Sequence, residues 1–251
     1  MAAFASLLAA SAAVRVASLN MCSDEYLLLL ARPGEVASVT RLAKDPHESV
    51  LAPLASRVPA NRGRIEDVVA VNPTVVLTMG GGGGRSSRAI ARAMGMRVVD
   101  LTQPSTLDDV AKNLRQVAAL LGDPGRASPW IERVARLRAA PSAARDTIWL
   151  GGGGLSLMPG SLSAQWLALA GLKQRRLAGG RATLEALAIR PPAVLVTSSY
   201  RAGQMSQGQR WLAHPLLARL ASRRIATDGR RWTCAGPLLI DEIERLRRGA
   251  R

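Results

Sequence analysis

Aromatic side chains are scarce: five tryptophans, two tyrosines and one phenylalanine make up 3% of 251 residues. A single-strand nucleic-acid binder stacks bases on aromatic faces, and this chain has too few for such a platform. Lysine is nearly absent as well. Of 34 basic residues only Lys44, Lys112 and Lys173 are lysines, so the net charge of +16 is an arginine charge. The arginines are scattered along expected helices and loops, with no helix-turn-helix pattern or zinc-finger spacing. Nucleic acid is therefore not an expected partner. The charge reads as solvated surface with a secondary capacity to attract an anionic ligand. The two cysteines show no CxxC spacing and the two histidines do not cluster, so no zinc site is expected. No apolar run reaches the roughly 18–20 residues of a membrane helix, and no direct membrane insertion is expected.

What is present is a core and a repeat. Hydrophobic residues make up 48% of the chain, enough for one large domain or two lobes with cores of their own. The stretch from Arg64 to Thr78 recurs, ungapped, from Thr183 to Thr197. Each copy reads as a short amphipathic helix, a proline stop and a buried strand. Glu66 and Glu185 fall in the first helical turn, where a carboxylate suits the positive end of the helix dipole. Pro73 and Pro192 follow seven residues later and cannot continue a helix. The β-branched runs after them suit strands buried on both faces. Helix–proline–strand units recur in any α/β protein, but an ungapped pair so far apart points to two similar lobes.

Taken in order, residues 1–13 are small and apolar, with the core and small-residue cleavage region of an export signal near Ala12 or Ala13. They lack a positive n-region, and an ordinary buried helix is the other reading. Leu19-Asn20-Met21-Cys22 is not a lipoprotein box, because Asn20 and Met21 are too large for the positions before a lipidated cysteine. Strands are expected at 14–19, 35–40, 75–79, 97–101, 147–150, 194–197 and 224–226. Helices are expected at 24–31, capped by Ser23 or Asp24, and at 85–94, 163–170 and 237–248. The tract from Ser105 to about Ala139 is the longest helical one, with Ser105 and Asp108 spaced much like a capping box; Gly122 to Gly125 interrupts it. It lies between the halves and reads as their connector. The glycine run at 80–84 lacks a Gly-Lys-Ser/Thr, which excludes a P-loop, and a close-approach loop at a ligand cleft is the better reading; 151–156 is a second glycine loop, at the place where the first lobe has Asn20 to Ser23. The expectation is an α/β protein with an N-terminal lobe (14–104), a connector (105–140) and a C-terminal lobe (141–251). Each lobe is a parallel sheet, and ligand binds beyond the strand carboxyl ends, in a cleft between lobes.

Three stretches carry a resemblance: Ser18 to Glu25, the Ile65-Glu66…Asn72-Pro73 unit, and Trp232-x-Cys234-x-Gly236-Pro237. Together they resemble the substrate-binding proteins of ABC importers, in the helical-backbone class (class III) that carries cobalamin, iron–siderophore complexes and heme. The resemblance runs from about Val14 to the C-terminus. It implies two pseudo-symmetric lobes joined by one long connector helix, small hinge motion, a periplasmic location and a monomer that captures a metal chelate and delivers it to a permease dimer. It implies no enzyme activity and no resident cofactor. In cobalamin-binding members one glutamate on each lobe docks onto permease arginines; the matching positions are Glu66 and Glu185.

The cleft is expected to be lined by Asn20, Met21, Arg41, Arg85, Tyr200, Arg201 and Trp232. Tyr200 and Trp232 offer flat faces for a macrocycle, and the arginines offer bidentate contacts to carboxylate or phosphate. His47 and His214 are candidate axial ligands for a heme iron, with structural roles as the plainer reading. Cys22 and Cys234 lie in loops facing the cleft, either bridged and stapling the lobes or free to touch ligand. The competing reading is an α/β enzyme that holds a phosphorylated or nucleotide-like molecule on a glycine loop. It finds no convergent nucleophile or acid–base set in the sequence.

Overall fold

The computed structural model describes residues 14–82, 84–140, 143–201, 203 and 206–250, and for Arg85 the backbone alone. The expected export segment, 1–13, lies outside the described residues.

Two parallel sheets form. In the first, β1 (Val16–Ser18), β2 (Val36–Thr40), β3 (Ala60–Asn61), β4 (Val75–Met79) and β5 (Arg97–Leu101) lie in the order β3-β2-β1-β4-β5. In the second, β6 (Arg145–Leu150), β7 (Leu172–Gln174), β8 (Val194–Ser199) and β9 (Arg223–Asp228) lie in the order β7-β6-β8-β9. The first strand of each lobe is internal: β1 lies between β2 and β4, and β6 lies between β7 and β8, with β5 and β9 on the far side of β4 and β8. β4 is buried at all five positions, as a strand covered by helices on both faces must be. Val75 and Val194 open the corresponding strands β4 and β8, so the sequence repeat maps onto equivalent elements of the two lobes. The short edge strands β3 and β7 were not expected from sequence, because two or three residues carry no usable alternation.

The helices between these strands are α1 (Met21–Leu30), α2 (Arg41–Lys44), α3 (Ala52–Ala55), α4 (Gly84–Ala93), α5 (Leu107–Leu120), α6 (Ser128–Ala139), α7 (Leu162–Leu169), α8 (Leu184–Ile189), α9 (Gln207–Leu212), α10 (Pro215–Arg219) and α11 (Leu239–Gly249). The two repeat copies differ locally. The second is the α-helix α8, whose cap Thr183 accepts from the Ala186 N–H at 3.1 Å. The first is a 3-10 helix, Ile65–Val71, with no side-chain cap, ended by Asn72 at φ 45°. Val68, Val69 and Val71 crowd the preceding turn in an α-helix, whereas the alanines and leucines of α8 do not.

The connector is two helices rather than one long one. Gly122 at φ 76° ends α5 in the left-handed conformation, and Pro124–Ala127 makes a 3-10 turn before α6. The start of α5 also differs by a residue. Thr106 is the cap and Asp109 its reciprocal partner, in place of Ser105 and Asp108. The Asp109 carboxylate accepts from the Ser105 and Thr106 N–H groups, which fixes that register.

One buried cluster runs through the whole molecule. It joins Tyr26 and Leu27 of α1, Leu114 and Val117 of α5, Trp166 and Leu167 of α7 and Leu239 and Ile243 of α11. At about 1.5–3 kcal/mol for each large apolar side chain, this shared core holds the lobes to the connector. Arg126 reinforces it, donating to both Glu35 oxygens at 2.5 and 2.8 Å, and Arg133 of α6 grips Glu244 of α11 at 2.7 and 3.0 Å.

The second glycine run is a packing seam. Gly154 sits at φ +77°, and a Cβ there would stand 2.4 Å from the Ala182 carbonyl oxygen and 3.0 Å from the Trp211 ring. Gly152 and Gly208 press backbone to backbone, which lets α9 seat on this turn. Gly154→Ala therefore combines a left-handed backbone with a collision against main chain. We expect it to lower unfolding free energy by about 2–4 kcal/mol in urea titration, whereas Gly34→Ala, with φ +91° but open space around it, loses about 1–2 kcal/mol.

Candidate functional site: a cleft between the lobes

The site is built from the start of α1. Asn20 accepts from the Cys22 N–H at 2.8 Å, so the helix begins at Met21, three residues before the expected Asp24. Ser18 and Ser23 share a hydroxyl hydrogen bond of 2.8 Å beside this cap. The earlier start turns Asp24 and Glu25 inward. The Asp24 carboxylate accepts from the Thr40 hydroxyl at 2.5 Å and the Thr40 N–H at 3.2 Å. Burial pushes its carboxyl up to about 7 against those two bonds. Glu25 crosses to the other half of the chain, accepting from the Leu238 N–H at 2.7 Å. Burial pushes it up to about 8, opposed by the Leu238 N–H and the Arg231 charge. Gly236 is a glycine for this reason: a Cβ there would meet Glu25 Oε1 at 2.6 Å.

Beside Glu25 the cysteines are bridged. Cys22 and Cys234 form a disulfide with Cα atoms 5.3 Å apart and a sequence separation of 212. A staple closing so long a loop restricts the unfolded chain, an effect of roughly 2–5 kcal/mol. It also removes the free-thiol reading, since neither sulfur is left to meet a ligand.

Above this junction a cavity of about 440 Å³ opens, lined by Pro46 and His47 of the first lobe and by Ser199, Tyr200, Arg201, Thr227, Asp228 and Arg230 of the second. The second-lobe residues lie at or just beyond the carboxyl ends of β8 and β9, where α/β sheets place ligands, and Pro46 and His47 follow α2, which leaves the carboxyl end of β2. The Tyr200 hydroxyl donates to Glu48 Oε2 at 2.9 Å, and Arg201 forms an ion pair with the same carboxylate. Arg230 is held by both oxygens of Asp228 and also donates to the Pro46 carbonyl. Other hollows of similar size occur, one of about 390 Å³ by Arg88, Arg92 and Arg97 and one of about 510 Å³ between α5 and α6. Neither joins the first lobe to the second.

The expected cleft residues divide. Tyr200 and Arg201 line the cavity. Met21 lines a closed hollow of about 10 Å³ below it, with Asp24, Glu25 and Arg230. Arg41 is exposed at the start of α2, beyond the end of β2. Arg85 is in α4, after β4, and its side chain is outside the described set. Asn20 is spent on capping α1. Trp232 is the clear correction. It is 7% exposed, donates to Thr227 Oγ1 at 2.8 Å and packs on Trp149 with ring centroids 5.5 Å apart. Its large apolar ring is more stable in the shared core than in the cleft. Of the histidines, His47 lines the cavity, while His214 caps α10 with Nδ1 accepting from the Leu216 N–H at 3.2 Å. Sequence reading missed Glu48, Asp228 and Arg230. A lone acid in a polar loop and an Asp-Gly-Arg turn give no signal until the lobes are brought together.

Glu66 and Glu185 are both exposed. Gly63, just before the first, lies against the Leu19 carbonyl beyond the end of β1. Ala182, just before the second, donates to the Gly154 carbonyl beyond the end of β6. The two carboxylates thus stand at matching places, on the same strand-end side as the cleft.

Two parallel sheets, a helical connector and a strand-end cleft define the fold of the class III periplasmic binding proteins. HutB of Vibrio cholerae, a periplasmic heme-binding protein, superposes with a TM-score of 0.71 at 16% identity, over 94% of this chain and 98% of that one. BhuT, a periplasmic heme-binding protein solved with two hemes, gives 0.68 at 17% identity over 94% and 97%. The periplasmic vitamin B12-binding protein BtuF of Vibrio cholerae gives 0.63 at 18% identity over 94% and 95%. Neither the protein-family models nor the curated proteins yield a match to this sequence.

The two buried acids set a pH dependence. In the unfolded chain both ionise near ordinary carboxylate values of about 4. Folding raises both, to about 7 and about 8. Between these limits the folded state binds more protons, so stability is greatest near the lower limit and falls as pH rises through about 5 to 8. The slope reaches at most about 1.4 kcal/mol per pH unit for each acid. Urea unfolding across this range checks the sign, and Glu25→Gln flattens the part of the slope above about pH 7.

Proposed function

We propose that this chain is an extracytoplasmic, periplasmic substrate-binding protein that captures a metal chelate in the interlobe cavity and delivers it to an ABC permease. The observation that carries this reading is the cavity of about 440 Å³ lined from both lobes at strand carboxyl ends. It lies within the usual range for small-molecule sites and combines an aromatic face with convergent polar groups. A planar macrocycle or compact ferric chelate suits it; a cargo as large as cobalamin requires the lobes to part further. His47 on the cavity wall offers a nitrogen to a metal with an open axial position. The heme and vitamin B12 cargoes of the similar solved proteins support this class of ligand.

Delivery is assigned to Glu66 and Glu185. Exposed carboxylates at equivalent places on two lobes suit a permease whose two subunits present the same cationic patch twice. Their exposure on short helices fits docking by charge, with little desolvation on contact.

Titration of the purified protein with hemin, cyanocobalamin and a panel of ferric siderophores, read from each cargo's own absorption, is expected to show saturable one-to-one binding by one of them. A folded chain that binds none would overturn the reading. The cargo's spectrum is the proper readout because Trp232 does not face the cavity. The double variant Glu66→Ala/Glu185→Ala is expected to bind cargo unchanged while permease-dependent uptake falls about tenfold or more, equivalent to about 1.4 kcal/mol of docking energy. Unchanged uptake would remove the docking role.

A further inference from the structure

We propose that Glu48 is the selectivity element of the cleft: a carboxylate of the chain itself, held between Tyr200 and Arg201 where a carboxylate of the cargo binds. The proposal rests on the binding-protein reading and narrows its cargo to metal chelates that carry a free carboxylate.

The placement of Glu48 is built. Its backbone N–H donates to the Asp45 carbonyl at 3.0 Å, and the Asp45 side chain accepts from the His47 N–H at 2.8 Å, so the loop after α2 is a fixed turn. From that turn the side chain reaches the other lobe and is only 16% exposed. The Tyr200 hydroxyl donates to one oxygen and the Arg201 guanidinium pairs with the other. Tyr200 and Glu48 are 152 apart in sequence, and both partners of Glu48, Tyr200 and Arg201, line the cavity.

The two cavity arginines are compensated differently. Arg230 takes its ionic partner, Asp228, from its own lobe and reaches the first lobe only through the neutral Pro46 carbonyl. Arg201 takes its described ionic partner, Glu48, from the opposite lobe. A cargo that seats against Arg201 therefore parts it from Glu48, an ion pair, whereas at Arg230 it costs at most the bond to the Pro46 carbonyl and leaves Asp228 in place. A neutral chelate that does this leaves Arg201 partly desolvated with nothing in return. A chelate with a carboxylate restores both lost contacts, because the planar guanidinium fork and the phenol accept it as they accept Glu48. Glu48 then swings toward the open side of the cleft and is hydrated. The internal ion pair therefore penalises neutral cargo and is neutral toward anionic cargo, which is selection by a built-in competitor.

The test pairs Glu48→Gln with two matched probe sets: hemin against hemin dimethyl ester, and a carboxylate-type against a hydroxamate-type ferric siderophore. The wild type is expected to bind the carboxylate member of its preferred pair at least about tenfold more tightly than the neutral member. In Glu48→Gln the neutral member gains affinity and the ratio shrinks severalfold, while Arg201→Gln lowers affinity for the carboxylate member alone. Equal affinities in the wild type, or a ratio unmoved by Glu48→Gln, would overturn the proposal and leave the binding-protein reading standing. Failure of both proteins to bind any probe would overturn that reading instead. Hydrogen exchange without ligand then tests the interlobe contact of Glu48 separately: faster exchange at 45–49 and 198–201 in Glu48→Gln supports it, and unchanged exchange overturns it.

Discussion

The first turn of α1 carries the constraint on which the rest of the molecule depends. Asn20 caps the helix, and the cap decides that Cys22 and Glu25 project toward the segment 234–238 rather than toward solvent. Three contacts then converge within a few residues: the disulfide, the Glu25 bond to the Leu238 N–H, and the Gly236 backbone laid against the same carboxylate. This is a covalent bond reinforced by a desolvated hydrogen bond, in a place where water cannot compete. It pins the first lobe to the last loop before α11, while α11 itself belongs to the core shared with α6 and α7.

Lobes pinned this way have limited freedom to open. With the junction fixed at the base of the cleft, the motion left to the lobes is small and is greatest at the rim, where Glu48 meets Tyr200 and Arg201. The chemistry follows the same gradient. The base of the cleft holds carboxyl groups that burial keeps protonated to unusually high pH, and the rim holds charged groups in contact with solvent. Neutral acids at the base allow the lobes to pack tightly there; the ion pair at the rim is the contact that the proposed cargo would replace.

Much of the fold was legible in sequence because it depends on local pattern. The repeat of Glu66…Pro73 in Glu185…Pro192 identified two equivalent lobes, since a first-turn acid, a proline stop and a β-branched run each act on the residues beside them. What was misread was also local, but contested. Valines turned the first repeat helix into a 3-10 helix, and Asn20 displaced Ser23 and Asp24 as the cap. The glycine run at 151–154 read only as a second glycine loop, because glycine permits close approach without saying what approaches. In the folded chain it is α9 and the Ala182 carbonyl.

The sequence by itself determined the α/β class, the two-lobe plan and the equivalent places of Glu66 and Glu185 in the two lobes, because periodicity, caps and chain breaks are short-range properties. Tertiary structure alone decided that Cys22 and Cys234 are joined, that Trp232 is core, and that Glu48 and Arg230 belong to the cleft. Each of those facts is a meeting of residues that far apart in the chain, and no short-range rule contains the distance between them. Which aromatic ring is buried or which acid faces an arginine depends on how the two sheets lie against α5, α6 and α11. That arrangement is set by the packing of the whole core rather than by any one stretch.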